Sequence, residues 1–336
     1  MLFGDNGLPG RFLILDFASH KKLLEETTGL TLERDVPLRG FTSLGIGGPA
    51  ALFAVTDSSS TMGKLISTAT GCGLEILVLG GGTNLLVSDE GFEGIAVHAR
   101  ILGVELSEDG DRLTVGAGVP VAGLVEDLIA RGIGGLEFAA GLPGTVGGAV
   151  AGNAGCFGCT FGQKLVGATV VTGKGEVLEV DDRSWFGFEY RRSSVSARQA
   201  VVTTATFAVR PDDRSRLRRE ADEHLRNRRD RHPAKEIMTA GSYFKNLEPS
   251  EPGGRRTAAG ALLDQVGARE MSVGDAAVFE RHANIVINRK NATAENVLEL
   301  AERMAARVKK KFDIELEPEV RFVGRRPGMG GSRNRS

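Results

Sequence analysis

Three glycine clusters in the first half of the chain constrain its fold most, because none follows the G-x-G-x-x-G pattern that opens a dinucleotide-binding helix. Glycine lets a backbone approach a ligand closely, and successive free N–H groups in such loops bind anions. Two clusters follow apolar runs, so they predict a long ligand whose pyrophosphate is held by loops between strands. The clusters are Gly45–Gly48, Leu79–Leu86 and Gly141–Gly148. The alternative, that the glycines only form turns, applies most strongly to the first.

Composition narrows the class of protein. A chain of 336 residues is expected to hold two or three domains. Apolar residues make up 41% and charged residues 25%, as in globular proteins, and the net charge of −1 gives no electrostatic reason to expect nucleic acid. No apolar run approaches the ~20 residues of a membrane span, so we expect no membrane insertion.

The cysteines favour a reducing compartment, because there are only three and they lack the spacing of a disulfide framework. Cys156 and Cys159 form a C-x-x-C pair, but a structural zinc site would need a second pair. We therefore expect no metal. A redox dithiol stays open, although this spacing usually indicates one only inside a thioredoxin-like pattern.

Apolar periodicity predicts a mixed chain in which strands dominate between about 95 and 210. Helices are predicted around Met62–Ala69 and over Val121–Ala130, Arg210–Pro233 and Thr293–Phe312. The predicted strands are Ala51–Thr56, Leu74–Leu79, Ile95–Ala99, Val104–Leu106, Leu113–Val115, Val166–Thr172, Glu176–Val180, Val201–Val209 and Ile314–Val323. The Arg210–Pro233 helix alternates charges of both signs, which is typical of a solvated connecting helix.

Eight motifs lie between about 37 and 324: Phe41–Gly48, Leu79–Leu86, Gly141–Ala149, Gly152–Gly155, Tyr190–Ser193, Ala240–Asn246, His282–Asn288 and Leu316–Gly324. Taken together, they resemble the motifs of the UDP-N-acetylenolpyruvoylglucosamine reductase family, the FAD- and NADPH-dependent enzymes of peptidoglycan precursor synthesis. They occur in the family's order, and they are specific jointly rather than singly.

The resemblance implies an α+β fold with a two-lobed FAD-binding domain of the vanillyl-alcohol-oxidase (PCMH) type and an α+β substrate-binding domain. With it, we expect an N-terminal extension at 1–34 and the flavin domain at 35–212, with lobes at about 35–95 and 96–212. The substrate domain is expected at 213–325, beginning with a connecting helix at 213–232, and a disordered tail at 326–336. We also expect a cytoplasmic protein that acts in cell wall biogenesis, cell shape and cell division. The sequence leaves the oligomeric state open, with a monomer expected.

The implied reaction uses non-covalent FAD and NADPH as hydride donor. Arg191 would stabilise an enolate, Ser242 would protonate C2 of an enolpyruvyl ether, and Glu319 would assist. Substrate would be bound by Tyr190, Lys245 and Asn246. The resemblance assigns FAD binding to Gly80, Gly81, Gly82, Thr83, Asn84, Leu85, Gly141, Gly144, Thr145, Gly147 and Gly148.

Residue types alone would support plainer roles: a surface arginine beside Arg192, a turn serine, and a glutamate on a solvated strand face that Glu317 shares. The chain also departs from the family's usual pattern, with Thr145 in place of a serine and the two C-x-x-C cysteines in place of alanine and tyrosine. Two other functions stay open: a flavin oxidoreductase of the same fold acting on an alcohol or sugar, and a non-catalytic flavin-binding module.

Overall fold

The computed structural model describes residues 2–3, 16–249, 251 and 254–326. The chain divides into two compact units, each made of discontinuous segments. The first comprises Met1–Val36, Ala50–Gly81 and Glu93–Arg226, and the second Pro37–Pro49, Gly82–Phe92 and Asn227–Ser336. Residues 4–15 of the predicted extension, and the predicted tail from 327 onward, lie outside the described residues.

One sheet of the first unit has five strands, in the order Leu2–Phe3, Glu75–Leu79, Phe92–Ala99, Pro49–Thr56 and Glu33–Pro37. Helices Phe17–Thr28 and Ser59–Gly71 belong with this sheet. Ser58 caps the second helix by accepting a hydrogen bond from the Thr61 N–H at 3.2 Å. The apolar side chains at helical spacing, from Met62 to Ala69, are fully buried in the core against the sheet, as predicted.

A second five-stranded sheet is antiparallel throughout, in the order Val177–Val180, Leu165–Thr172, Ala200–Ala208, Arg112–Gly116 and Val104–Leu106. All five strands were predicted, to within one residue at either end. Helix Val121–Arg131 ends at Gly132, whose φ of 73° is the left-handed conformation that glycine adopts without strain. The remaining elements of the first unit are helices Val146–Ala151 and Phe161–Lys164, 3₁₀ turns Glu137–Ala139 and Arg183–Phe186, and short strands Ile133–Gly134, Gly155–Cys156, Cys159–Thr160 and Arg210–Pro211. Helix Arg214–Arg231 belongs to this unit as far as Arg226.

The second unit holds a four-stranded antiparallel sheet in the order Met238–Ser242, His282–Asn288, Ala276–Phe279 and Ser272–Val273. Helix Ala294–Phe312 begins with a capping box at Thr293 and buries an apolar face that includes Val297, Ala301, Met304 and Val308. The other elements are helix Ala259–Gln265, 3₁₀ turns Leu38–Phe41 and Ala268–Glu270, and a parallel pair of strands, Leu85–Val87 and Arg321–Val323. Helices and sheets that alternate in this way confirm the predicted α+β class.

Three predicted elements differ from the structure. The charged helix begins only at Arg214, because Arg210–Pro211 pairs as a short strand with Ile133–Gly134. The predicted strand Ile314–Val323 is wrong over most of its length, since only Arg321–Val323 is a strand. The third glycine cluster is not wholly a loop, because the short helix Val146–Ala151 begins within it.

Among the described residues, no helix combines the length and the apolar character that crossing a membrane would require.

Candidate active site

Two of the glycine clusters pack directly against each other in the first unit. A Cβ atom on Gly80 would lie 2.4 Å from the Thr145 hydroxyl oxygen, and one on Gly81 would lie 2.8 Å from the Gly144 Cα. Both distances are too short for any side chain. Glycine is therefore required here first because the two loops touch, a reason that the sequence alone did not reveal.

Thr145 carries the clearest sign of a ligand-binding role. Its hydroxyl is buried and has no hydrogen-bond partner within the described part of the chain, although the residue stands at the start of helix Val146–Ala151. A buried hydroxyl without a partner is costly, so such groups normally meet a polar atom. A phosphate oxygen is a suitable acceptor, and the residues present thus fit the pyrophosphate of FAD.

The other residues predicted to bind FAD have varied surroundings. Gly141 and Gly144 have positive φ of 69° and 102°. A Cβ on Gly147 would lie 2.6 Å from the Ala117 Cβ, whereas one on Gly148 would meet only ordinary contacts. In the second unit, Gly82 has a φ of 60°, and a Cβ there would lie 1.9 Å from the Phe41 carbonyl oxygen.

The next loop residues, Thr83, Asn84 and Leu85, lead into the short strand Leu85–Val87 of the second unit. Asn84 has a partner of its own there. Its side-chain amide donates to the backbone carbonyl oxygen of Glu319 at 3.0 Å. The backbone carbonyl of Asn84 accepts from the Arg321 N–H at 3.1 Å. Asn84 therefore fixes the backbone around Glu319.

A two-residue turn presents Arg191. Glu189 and Arg192 exchange backbone hydrogen bonds of 3.0 and 3.3 Å, with Tyr190 and Arg191 between them. Arg191 has a φ of 53°, an unusual conformation for a side chain of this size and one that clusters at functional sites. Its guanidinium carbon lies 5.8 Å from the centre of the Tyr190 ring. Arg191 is half-buried, whereas Arg192 is exposed and faces the Glu189 carboxylate at 3.7 Å.

Two buried side chains hold this turn, and sequence reasoning assigned no role to either. The Asn153 amide donates to the Glu189 carbonyl oxygen at 2.7 Å, while its own oxygen accepts from the Gly162 N–H at 3.0 Å. The Ser193 hydroxyl donates to the Ala151 carbonyl oxygen at 2.6 Å. Asn153 lies in the motif Gly152–Gly155, and this motif was the feature of the sequence that could have indicated its role.

In the second unit, the chain brings Ser242 and Glu319 onto neighbouring segments. The Tyr243 carbonyl accepts from the Glu319 N–H at 2.7 Å, and the Lys245 N–H donates to the Glu317 carbonyl at 2.9 Å. Residues more than seventy positions apart in the sequence thus run side by side, with a bridge between Phe244 and Pro318. The Lys245 ammonium pairs with the Glu317 carboxylate.

A β-bulge gives Ser242 its position. Strand Met238–Ser242 pairs with His282–Asn288, but the register shifts between Thr239 and Ser242, and Gly241 has a φ of 77°. Ser242 is half-buried at this irregularity, and bulges of this kind often redirect a side chain at an active site.

The neighbours of Ser242 are locked in place. Buried Asn284 binds both backbone groups of Phe244, with hydrogen bonds of 2.9 and 2.8 Å. The Asn246 side-chain oxygen accepts from the Ala259 N–H at 3.2 Å, at the start of helix Ala259–Gln265. Burial raises the pKa of Tyr243 to about 12, so this phenol stays protonated at neutral pH. Burial also lowers the pKa of His282, which was not assigned to catalysis.

Comparison with known proteins gives consistent results for both parts of the chain. Residues 49–181 match a family model described as an FAD binding domain, and residues 232–323 match the C-terminal domain of UDP-N-acetylenolpyruvoylglucosamine reductase. The UDP-N-acetylenolpyruvoylglucosamine reductase of Moorella thermoacetica is 39% identical over 302 residues, which cover 89% of this chain and 96% of that protein. UDP-N-acetylenolpyruvoylglucosamine reductase 2 of Symbiobacterium thermophilum is 36% identical over 296 residues, covering 88% and 93%.

A solved structure extends the similarity to three dimensions. The crystal structure of UDP-N-acetylenolpyruvylglucosamine reductase from Thermus caldophilus superposes with a TM-score of 0.73 at 30% identity, covering 88% of this chain and 100% of that one. The predicted flavin domain of the PCMH type and the predicted cofactor FAD are confirmed by these matches. On these grounds the chain belongs to the UDP-N-acetylenolpyruvoylglucosamine reductase family of flavoprotein oxidoreductases.

Proposed function

We propose that this chain uses NADPH to reduce UDP-N-acetylglucosamine enolpyruvate to UDP-N-acetylmuramate during peptidoglycan precursor synthesis in the cytoplasm. In this reaction C3 of the enolpyruvyl ether receives a hydride and C2 receives a proton, so the double bond becomes a single bond. The protein would thereby serve cell wall biogenesis, and through it cell shape and cell division.

The observation that carries the proposal is the backbone contact between the segments of Ser242 and Glu319. A hydroxyl and a carboxylate on adjoining segments suit a reaction that needs one positioned proton. A flavin oxidase that passes electrons to oxygen needs neither group, and a binding module needs no acid at all.

FAD, held by the glycine loops and Thr145, would supply the hydride chemistry that C3 requires. Arg191 binds the substrate carboxylate through parallel N–H donors, because a guanidinium keeps its charge and matches a carboxylate in shape. As negative charge grows on that carboxylate, the fixed guanidinium stabilises it without having to reorganise. The turn held by Asn153 supplies the rigidity that this role demands.

Ser242 donates the proton to C2. A free serine is a poor acid, so the step requires a strongly basic enolate within hydrogen-bond reach of the hydroxyl. Glu319 assists by stabilising the enol or by tuning the supply of the proton. Its backbone is held by Tyr243 and Asn84, which limits how far the carboxylate can move.

Lys245, Asn246 and Tyr190 complete the proposed set as substrate-binding residues. Lys245 already pairs with Glu317, so it would bind an anionic substrate only by sharing or exchanging this partner. Asn246 uses its oxygen on Ala259 and would contact substrate through its amide nitrogen. The proposed limits of the flavin and substrate domains remain 35–212 and 213–325.

Flavin absorbance tests the function directly. Under anaerobic conditions we expect NADPH to bleach the yellow protein and the enolpyruvyl sugar nucleotide to restore the colour, with UDP-N-acetylmuramate as product. If the enolpyruvyl sugar nucleotide does not restore the colour and oxygen does, the chain is an oxidase of the same fold. If NADPH leaves the colour unchanged, the binding-module alternative is favoured.

A further inference from the structure

We propose that Cys156 and Cys159 form a reversible disulfide across a two-residue β-hairpin, a modification site separate from the proposed flavin reaction. The strands Gly155–Cys156 and Cys159–Thr160 are antiparallel, and in their register Cys156 lies directly opposite Cys159. The C-x-x-C spacing that the sequence left without a function is therefore a cross-strand pair.

The turn between the cysteines fixes this arrangement. Phe157 and Gly158 have positive φ of 52° and 79°, as in the type I′ turns that close tight hairpins. Directly opposed residues point to the same face of a hairpin, so the two thiols share one side. Hydrogen-bonded pairs of this kind have Cα atoms about 5.5 Å apart, within the range of roughly 4.4–6.8 Å that disulfides span.

The surroundings favour the protonated thiols and leave both side chains partly exposed. Neither cysteine is in a disulfide, and both are half-buried against the core of the first unit. The Cys156 thiol donates to the Phe138 carbonyl oxygen at 2.9 Å, and burial raises the pKa of Cys159. Both effects favour the thiol over the reactive thiolate. The hairpin tip is anchored, because the Phe157 ring stacks on His224 with 3.8 Å between the ring centres.

Metal binding is a less well supported role for these thiols than disulfide formation. Across the part of the chain that the structure describes, no group of three or more His, Cys, Asp or Glu side chains could hold a metal ion. Two opposed thiols without further ligands suit thiol–disulfide exchange.

The oxidant that we name is a low-molecular-weight disulfide such as oxidised glutathione. One cysteine thiolate attacks a glutathione sulfur, and the S–S bond of glutathione breaks to release one reduced glutathione. The second cysteine then attacks the mixed disulfide and releases the other. The two cysteines lose two protons and two electrons, and one oxidised glutathione becomes two reduced molecules.

Intact mass spectrometry of the full flavin-loaded chain tests the proposal, with Cys72→Ser as background to remove the third thiol. After exposure to oxidised glutathione we expect the mass to fall by two hydrogen atoms. Both thiols should then resist alkylation completely, and dithiothreitol should restore them.

Matched single variants in that background, Cys159→Ser and Cys156→Ala, should never show the loss of two hydrogens. Each has one remaining thiol, which can only carry glutathione or stay free, and circular dichroism verifies that each is folded. The proposal fails if the parent accumulates stable glutathione adducts, if disulfides join two chains, or if both thiols stay free at every ratio of oxidised to reduced glutathione.

Discussion

At the scale of single residues, neighbouring arginines with different surroundings offer the sharpest comparison. Arg191 is half-buried in the strained turn, whereas Arg192 is exposed beside Glu189. We expect Arg191→Ala to slow substrate-dependent flavin reoxidation by roughly 10²–10³-fold, since a lost donor to a developing oxyanion costs about that much. Arg192→Ala, the matched control, should change the rate by about twofold or less, as most surface substitutions do. Equal effects in stopped-flow absorbance would remove Arg191 from the site.

Ser242 separates the two halves of the proposed reaction. Ser242→Ala should leave flavin reduction by NADPH nearly intact, because no proton donor to C2 is needed there. Reoxidation by the enolpyruvyl substrate should slow by roughly 10²–10⁴-fold, the usual value of general-acid catalysis. The first half-reaction is thus an internal control in the same stopped-flow sample. If both halves slow equally, the serine only shapes the bulge between Thr239 and Ser242.

Asn153 acts through another residue and so calls for a different readout. Asn153→Ala leaves the Glu189 carbonyl and the Gly162 N–H without their partners, which should cost about 1–3 kcal/mol in urea unfolding. Because the turn then holds Arg191 less firmly, reoxidation by substrate should also slow while reduction by NADPH stays near normal. A variant that loses stability but keeps both rates per bound flavin would show that Asn153 is structural only.

At the scale of elements, the loop around Thr145 gives a direct test of the phosphate site. Thr145→Val removes the unpartnered hydroxyl at nearly constant volume, so stability without flavin should not fall. FAD affinity should weaken about 10–100-fold, since a hydrogen bond to a charged group contributes about 1.5–3 kcal/mol. Thr145→Ser keeps the hydroxyl and should bind FAD normally. Fluorescence titration of the flavin-free protein measures both, and unchanged affinity in Thr145→Val would contradict the assignment.

Substitution of Gly81 would be less informative. Because its Cβ would meet the backbone of Gly144, a larger residue there disturbs the contact between the loops as well as any ligand.

The sequence predicted helices and strands well where apolar residues kept the same regular spacing along the whole segment. The helix with its stripe from Met62 to Ala69, and the hairpin strands on either side of Gly173–Gly175, have the predicted type and nearly the predicted limits. The strand Ile314–Val323 failed for a physical reason. Alternation marks any extended chain. Here residues 317–320 bond to the irregular stretch after Ser242, Pro318 lacks an N–H, and only Arg321–Val323 pairs with a strand.

The site was less predictable than the fold, because its key contacts join residues far apart in the sequence. Motif matching singled out Asn84 for the flavin, yet nothing local indicates that its amide binds Glu319. The same holds for the pairing of Asn153 with Glu189. The sequence shows which chemical groups are present, but which of them form hydrogen bonds with one another depends on the tertiary fold.

At the scale of the whole molecule, acid stability should fall in two separate pH windows. Burial, with Arg228, His282 and Arg231 nearby, lowers the pKa of His232 from 6.5 to about 4. His232 therefore binds a proton near pH 6.5 in the unfolded chain, but only near pH 4 in the folded chain. The contribution of His232 to the free energy of unfolding is complete above about pH 6.5, and it is lost as the pH falls from about 6.5 to 4.

A carboxylate sets the lower window. A hydrogen bond from Arg216 lowers the pKa of Asp212 from 3.8 to about 2. The folded chain thus keeps this group charged after the unfolded chain has protonated it, and stability is lost as the pH falls from about 4 towards 2. The two contributions can be separated because they are lost in adjoining but different pH intervals.

Urea unfolding midpoints measured from pH 8 to about pH 2 distinguish these contributions. We expect His232→Gln to flatten the curve of stability against pH between about pH 6.5 and 4 and to leave the fall below pH 4 in place. Asp212→Asn should do the reverse, lowering stability at neutral pH, where the Arg216 bond is lost, and flattening the fall below pH 4. His282, whose pKa burial also lowers, keeps part of the upper window, so His232→Gln should flatten that interval only partly. If His232→Gln leaves the slope between pH 6.5 and 4 unchanged, His232 does not stay neutral in the folded protein.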